Sequence, residues 1–487
     1  MTFPFPFIGT SSPAAPGDLD DYFSNIGGTS PFYGQVLSPP ALYDSASDTT
    51  WIAWESMVNG FRAQQITGLD HATGYWSEIT GVGISSLVDD DHGNPAICLD
   101  HEGHMHAFYG SHNAVTNSES RHSSTQWPIS GAAGEGSLWA IRAPVAGAIH
   151  TYPKPNLVGT VLYVFFREGS GSNGRYHTLY KTTALADGVA TWDTAKRVID
   201  FGATTRVYTG SHFVIGTEIH FLASLGNDGD TLREHVYYFI YETADGSLKN
   251  WDKSVSTASG SLPISLATAN TSYRIVNTGG NHTDIHALCF DTTGNPHVVY
   301  IDGTGTSFDL KHIKVTAGVW SSAVTVETIV GLSGVGHIAV IELVALSGDR
   351  VELFYPLDSL AAWDRGGDMM RRERSAAGVW GTAQTVLEAD SYALGRPFAV
   401  LNGRTEARVI FCEIAQDSLD ASGGDLRSFV WGSGGLIPYQ AAPDVPVVTT
   451  PDGAILLSGD AQSGTDKLLT SGDMQSGTDK LQQSIEV

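Results

Sequence analysis

A repeat constrains this chain more than any other feature. Seven pairs of short apolar runs, each joined by a tight polar turn, recur at Gln35–Glu55, His92–His112, Tyr152–Arg167, His212–Ala223, His282–Asp302, His337–Tyr355 and Pro397–Glu413. Their alternation and turn residues are those of β-hairpins. Each hairpin is followed by a polar strand and a turn that leads into tryptophan: Trp76, Trp127, Trp192, Trp251, Trp320 and Trp380, about 61 residues apart on average. A hairpin and two further strands in that span make one four-stranded blade, and seven of them fill roughly residues 31–440. The expected fold is all-β: a seven-bladed β-propeller over 31–440, with an N-terminal arm (1–30) and a short repetitive C-terminal tail after a linker (441–487). The tryptophans are expected to pack blade against blade. No tryptophan strand precedes the first hairpin, so Trp431 is the candidate to close the ring from the C-terminal end.

Composition agrees with this architecture. Glycine is abundant at 55 residues and charged residues make up only 16%, as expected of many short strands joined by turns. The 27 basic residues face 52 acidic ones, a net charge of −25. Neither nucleic acid nor an anionic membrane is expected as a partner. Cys98, Cys289 and Cys412 each lie in an apolar run and read as buried free thiols. The opening MTFPFPFIGTSSPAAPG has neither the basic nor the apolar region of a standard signal peptide. The expected location is extracellular or associated with a larger particle. In the tail SGDAQSGTDKL returns as SGDMQSGTDKL; such repeats build no core of their own and suit contact with another protein chain.

In a propeller, the residues that open the innermost strands line the mouth of the central channel. Here these are polar: His92, Tyr152, His212, His282 and His337. Of the five histidines in DDDHGNPAICLDHEGHMHAFYGSHN, His101, His104 and His106 fall on the turn and strand, with the turn histidines expected to face solvent. His92 and His112 share the open end. In the next hairpin, Tyr152 stands before two prolines that pin the backbone, and Arg167 ends the return strand at the same end. Two adjacent blades thus offer two histidines, a tyrosine and an arginine around one cleft. This set suits a uronic acid. Arginine neutralises the carboxylate and so acidifies the neighbouring C–H, and tyrosine or histidine takes that proton and returns one to the leaving oxygen. The outcome is β-elimination, which requires no cofactor.

DDHG, FYGSH twenty residues after its histidine, TYP-x-P and a strand ending in FFR together resemble the seven-bladed propeller ulvan lyases, polysaccharide lyases with BNR-type repeats. The resemblance covers residues 30–440 and implies a lyase acting on an acidic, uronate-containing polysaccharide. It implies a catalytic centre of His92, His112, Tyr152 and Arg167, with Tyr152 and His92 as base and acid in an order left open, and Arg167 and His112 on the carboxylate. Tyr208 is the nearest match to a further cleft tyrosine, with His212 competing. Arg206 and Arg274 are further substrate-binding candidates, and Arg142 and Arg175 can add positive charge. The alternative reading is a non-catalytic carbohydrate-binding or adhesion propeller, part of a phage tail or secreted assembly. A second constellation, His282, Cys289, His297 and His337, has donors suited to a structural zinc, without CxxC spacing. There is no P-loop, GxSxG, HExxH or Asp-box series.

Overall fold

The computed structural model describes residues 22–27, 39–58, 61–77, 79–84, 94–109, 121–126, 129, 139–142, 150–169, 175–227, 233–283, 286–304, 307–330, 341–357, 366–390, 392–414, 426–440, 448–449 and 455–456. Two compact units divide the chain, Met1–Gln440 and Ala441–Val487. In the second, Val448–Thr449 pairs with Ile455–Leu456.

The first unit is a seven-bladed β-propeller. Each of the seven recurring hairpins forms the two inner strands of one blade, from Ala41–Asp44 with Thr49–Val58 in blade 1 to Ala393–Ala399 with Val409–Ile414 in blade 7. Blade 3 is typical. Its strands Thr151–Val158, Val161–Glu168 and Tyr176–Ala186 run antiparallel, and Lys196–Ile199 completes the edge. The turn between the first two needs a positive φ, which Gly159 supplies at 61°. Val161–Glu168 is buried along nearly its whole length, as a strand covered on both faces must be, and this explains its unbroken apolar sequence. Among the described residues the only α-helix, Leu266–Ser272, sits in blade 4 between strands, and no helix is long and apolar enough to cross a membrane.

The tryptophans are inter-blade wedges. Trp192 of blade 3 meets Phe108 and His122 of blade 2 edge-on, at 6.0 and 5.9 Å between ring centroids. Trp320 of blade 5 packs on Trp251 of blade 4, and Trp380 of blade 6 on His312 of blade 5. Trp76 of blade 1 stacks on Phe23 at 4.9 Å. Trp127 lies outside the described residues.

Ring closure differs from the expectation. Blade 1 is complete without Trp431, which stays on the third strand of blade 7, Leu426–Gly432. It is blade 7 that lacks a fourth strand, and Ser24–Gly27 from the N-terminal region supplies it, pairing Ser24 with Ser428 and Gly27 with Leu426. The C-terminal end then locks blade 1: the Trp76 indole donates to the Pro438 carbonyl at 3.0 Å and its backbone N–H to Gln440 at 2.8 Å.

Candidate functional site

The site begins with a register shift. In blade 3, Thr151 opposes Arg167 and Lys154 opposes Phe165, so one extra residue is squeezed in between. Such a bulge re-aims a side chain. Tyr152 takes it up with φ at 58°, a left-handed conformation costly for a bulky residue, with Pro153 fixing the next position. Blade 7 repeats the device, where Arg396 (φ 56°) precedes Pro397 at the equivalent shift.

The Arg167 guanidinium lies 4.4 Å from the ring centre of Tyr152 and 4.8 Å from that of Tyr208. Arg233 covers Tyr208 at 4.1 Å, and Arg206 hydrogen-bonds its hydroxyl. The two tyrosine rings are 6.5 Å apart. Tyr152, Arg167, Tyr208 and Arg233 are all buried. Arg175 joins the cluster through the backbone: its N–H donates to Thr205 and its carbonyl accepts from Val207, both at 2.9 Å, which staples blade 3 to blade 4. Four arginines therefore converge in a chain of net charge −25.

The electrostatic consequence falls on Tyr208. Burial pushes its phenol up, but the charges of Arg167, Arg233 and Arg206 outweigh burial and bring it down to about 6. The Tyr208 hydroxyl is thus far readier to lose its proton than an ordinary phenol, among cations that outnumber it. Arg175 is shifted down by burial and by its neighbours Arg167 and Arg206. The cluster can bind an anion and take up a proton.

The other sequence candidates fall in different places. Arg206 stands beside Tyr208. His212 does not share the mouth: the first strand of blade 4 begins at Thr205, seven residues before it, and a register shift separates Thr209 from His212. His212 lies deeper, stacked on Phe221 at 4.7 Å and bonded to Asn156, and with Lys154 and Ser211 it lines a small pocket in the channel. Arg274 is on the outer strand of blade 4, donating to Asn270. His92 and His112 lie outside the described residues. Arg142 of blade 2 donates to Ser124 at 2.8 Å. Arg233 is the member that the hairpin pattern missed. It opens the third strand of blade 4, and Gly226, its cross-strand partner, marks the spot. A Cβ on Gly226 would lie 2.9 Å from the Tyr208 ring. Gly226→Ala should displace that ring by tenths of an ångström and, if the cluster is catalytic as proposed below, lower turnover about tenfold, with the circular dichroism spectrum unchanged.

Of the four residues singled out for zinc, the three described ones do not gather as a set. Cys289 opposes His297 across the blade 5 hairpin, yet it is buried in an apolar cluster with Ala287, Val299 and Leu353, where burial pushes its thiol up. His282 accepts from the Arg233 backbone N–H at 3.2 Å. His297 instead meets Asp291 and Asp349. His337 lies outside the described residues.

A model of the BNR repeat-containing family matches residues 50–326. "Ulvan Lyase-PL25" of Pseudoalteromonas sp. (strain PLSV) is 23% identical over 287 residues, 52% of this chain and 58% of that protein. An ulvan lyase of Alteromonas sp. (strain LOR) is also 23% identical, over 52% of this chain and 56% of its own. The match thus spans little more than half the length of these relatives. Among solved structures, a PL25 ulvan lyase bound to -[GlcA(1-4)Rha3S]- has a TM-score of 0.69 at 17% identity, covering 86% of this chain and 97% of that one. The polysaccharide lyase Uly1 has a TM-score of 0.55 at 11% identity, covering 86% and 98%. At these identities the likeness is one of fold.

Proposed function

The chain belongs to the BNR repeat-containing family, and from that premise we propose that it is a lyase that cleaves an ulvan-like, uronate-containing polysaccharide by β-elimination. The observation that carries the reading is the buried Tyr208 hydroxyl packed among Arg167, Arg206 and Arg233, whose charges lower its pKa. In the proposed reaction, Arg167 and its neighbours bind the uronate carboxylate and spread the charge that develops on it as C5 loses its proton. Tyr208 takes that proton. The C4–O bond breaks, the electron pair of the C–H bond becomes the C4–C5 double bond, and Tyr152, beside Arg167, passes its hydroxyl proton to the departing oxygen. A later proton exchange between the phenols and solvent resets the site. His112 keeps its expected role of holding the carboxylate, whereas His92, expected as base or acid with Tyr152, here only assists Tyr152 in proton transfer. The sequence left base and acid open between Tyr152 and His92 and offered Tyr208 only as a cleft tyrosine; its electrostatics support Tyr208 as base instead.

The four arginines exceed what one carboxylate needs. The oligosaccharide bound to the PL25 relative carries a sulfate as well as a uronic acid, and a substrate with both charges suits this cluster. Such a polymer is met outside the cell, so action there, free or on a particle, is part of the proposal. Incubation with ulvan should raise ultraviolet absorbance as unsaturated uronate ends accumulate. No rise on ulvan or on any other uronate polymer would refute the lyase reading.

A further inference from the structure

Blades 2 and 5 carry the same buried chain of groups, running from a turn carboxylate to a histidine on the second strand and another on the third. In blade 2, Asp100 Oδ2 bonds His106 Nε2 at 3.0 Å and His106 Nδ1 bonds His122 Nε2 at 2.8 Å. In blade 5, Asp291 Oδ2 lies 3.7 Å from His297 Nε2, and His297 Nδ1 bonds His312 Nε2 at 3.1 Å. The two differ in how the acidic end is balanced. In blade 5 a second carboxylate, Asp349, approaches His297 Nε2 to 3.1 Å, and the chain's own Lys314 and Arg374 pair with it. In blade 2 the second carboxylate is Glu102, and among the described residues no lysine or arginine forms an ion pair with it or with Asp100.

What stands there instead is His104. It is only 4% exposed, and its Nδ1 makes no hydrogen bond although it lies 3.3 Å from Asp100 Oδ2 and 3.8 Å from Glu102 Oε2. One nitrogen and two carboxylate oxygens thus lie within 4.8 Å of one another. We propose that Asp100, Glu102 and His104 bind a divalent transition-metal cation, zinc or manganese. Imidazole with two carboxylates is a donor set for these ions, whereas calcium and magnesium favour oxygen alone. The donors are already oriented. Asp100 Oδ1 accepts the backbone N–H groups of Glu102 and His104, both at 2.9 Å, and Oδ2 accepts from His106; such outer partners steady a ligand. Glu102 Oε2 accepts the Asp187 N–H of blade 3 at 2.6 Å. The ion would therefore tie the turn of blade 2 to blade 3. This is the end of the hairpin opposite Tyr152 and Arg167, so the site is independent of the proposed chemistry.

The test uses the full chain, stripped with chelator and titrated with zinc, manganese or calcium chloride. Zinc or manganese should bind by calorimetry and raise the melting temperature. His104→Gln should weaken that binding at least about tenfold, as should Glu102→Gln, whose exposed side chain leaves folding unaffected. Failure of zinc and manganese to bind, affinity unchanged in both variants, or tighter binding of calcium would each overturn the proposal.

Discussion

Tyr208→Phe should lower turnover on a uronate polymer about 10²- to 10⁴-fold, the range by which a positioned proton-transfer group accelerates a reaction. The substitution is mild structurally. The ring over which Arg167 and Arg233 lie, at 4.8 and 4.1 Å, is retained, and only the oxygen bonded by Arg206 is lost. Melting temperature should therefore change little while kcat collapses, and KM should stay within a few-fold because all four arginines remain. The pH profile adds a second readout. With the phenol at about 6, kcat/KM should rise through that pH as the base loses its proton and level off above it. Arg167→Met removes the cation whose charge does most to lower it, so the residual activity should have its rising limb at higher pH. A Tyr208→Phe variant with wild-type kcat, or a profile flat through pH 6, would show that Tyr208 is not the base.

The blades were legible because their causes are local. Alternating apolar residues, turn glycines and a recurring tryptophan each act within one repeat unit, and the wedges at Trp192, Trp320 and Trp380 follow from that spacing. Closure was not legible, because pairing Ser24 with Ser428 joins the two ends of the ring and no period encodes which terminus completes which blade. The same division runs through the site. Tyr152 and Arg167 meet because they end one hairpin. Tyr208 and Arg206 come to them only because the first strand of blade 4 starts at Thr205, and its bulge sends His212 down into the channel. The turn histidines misled for a related reason. His101 does face solvent, but His104 and His106 are buried, since the blade 2 turn packs against Gly188 of blade 3. A hairpin read alone has two faces of its own; in a propeller the neighbour decides which is wet.

Glu342→Gln should become steadily more stabilising as pH rises, by about 1.4 kcal/mol per pH unit between roughly pH 4.5 and 8. Glu342 opens the innermost strand of blade 6 and is 1% exposed, as is Lys154 on the innermost strand of blade 3. Burial drives both toward their neutral forms: Lys154 well below its ordinary value, and Glu342 up to about 8 against the pull of the Leu343 and Ala399 N–H groups and of Lys154. A carboxyl whose folded pKa is raised contributes stability that is complete below its unfolded pKa. That contribution is lost as pH climbs to the folded one, because the unfolded chain gives up its proton while the native state must hold it. Glutamine mimics the protonated acid and has no proton to lose. The variant should match the wild type near pH 4.5 and pull ahead until about pH 8, where the gap levels off. Urea unfolding of both proteins across this range measures the difference directly. A gap that stays constant would mean that Glu342 passes its proton to Lys154 and that the two form an ion pair rather than a neutral pair.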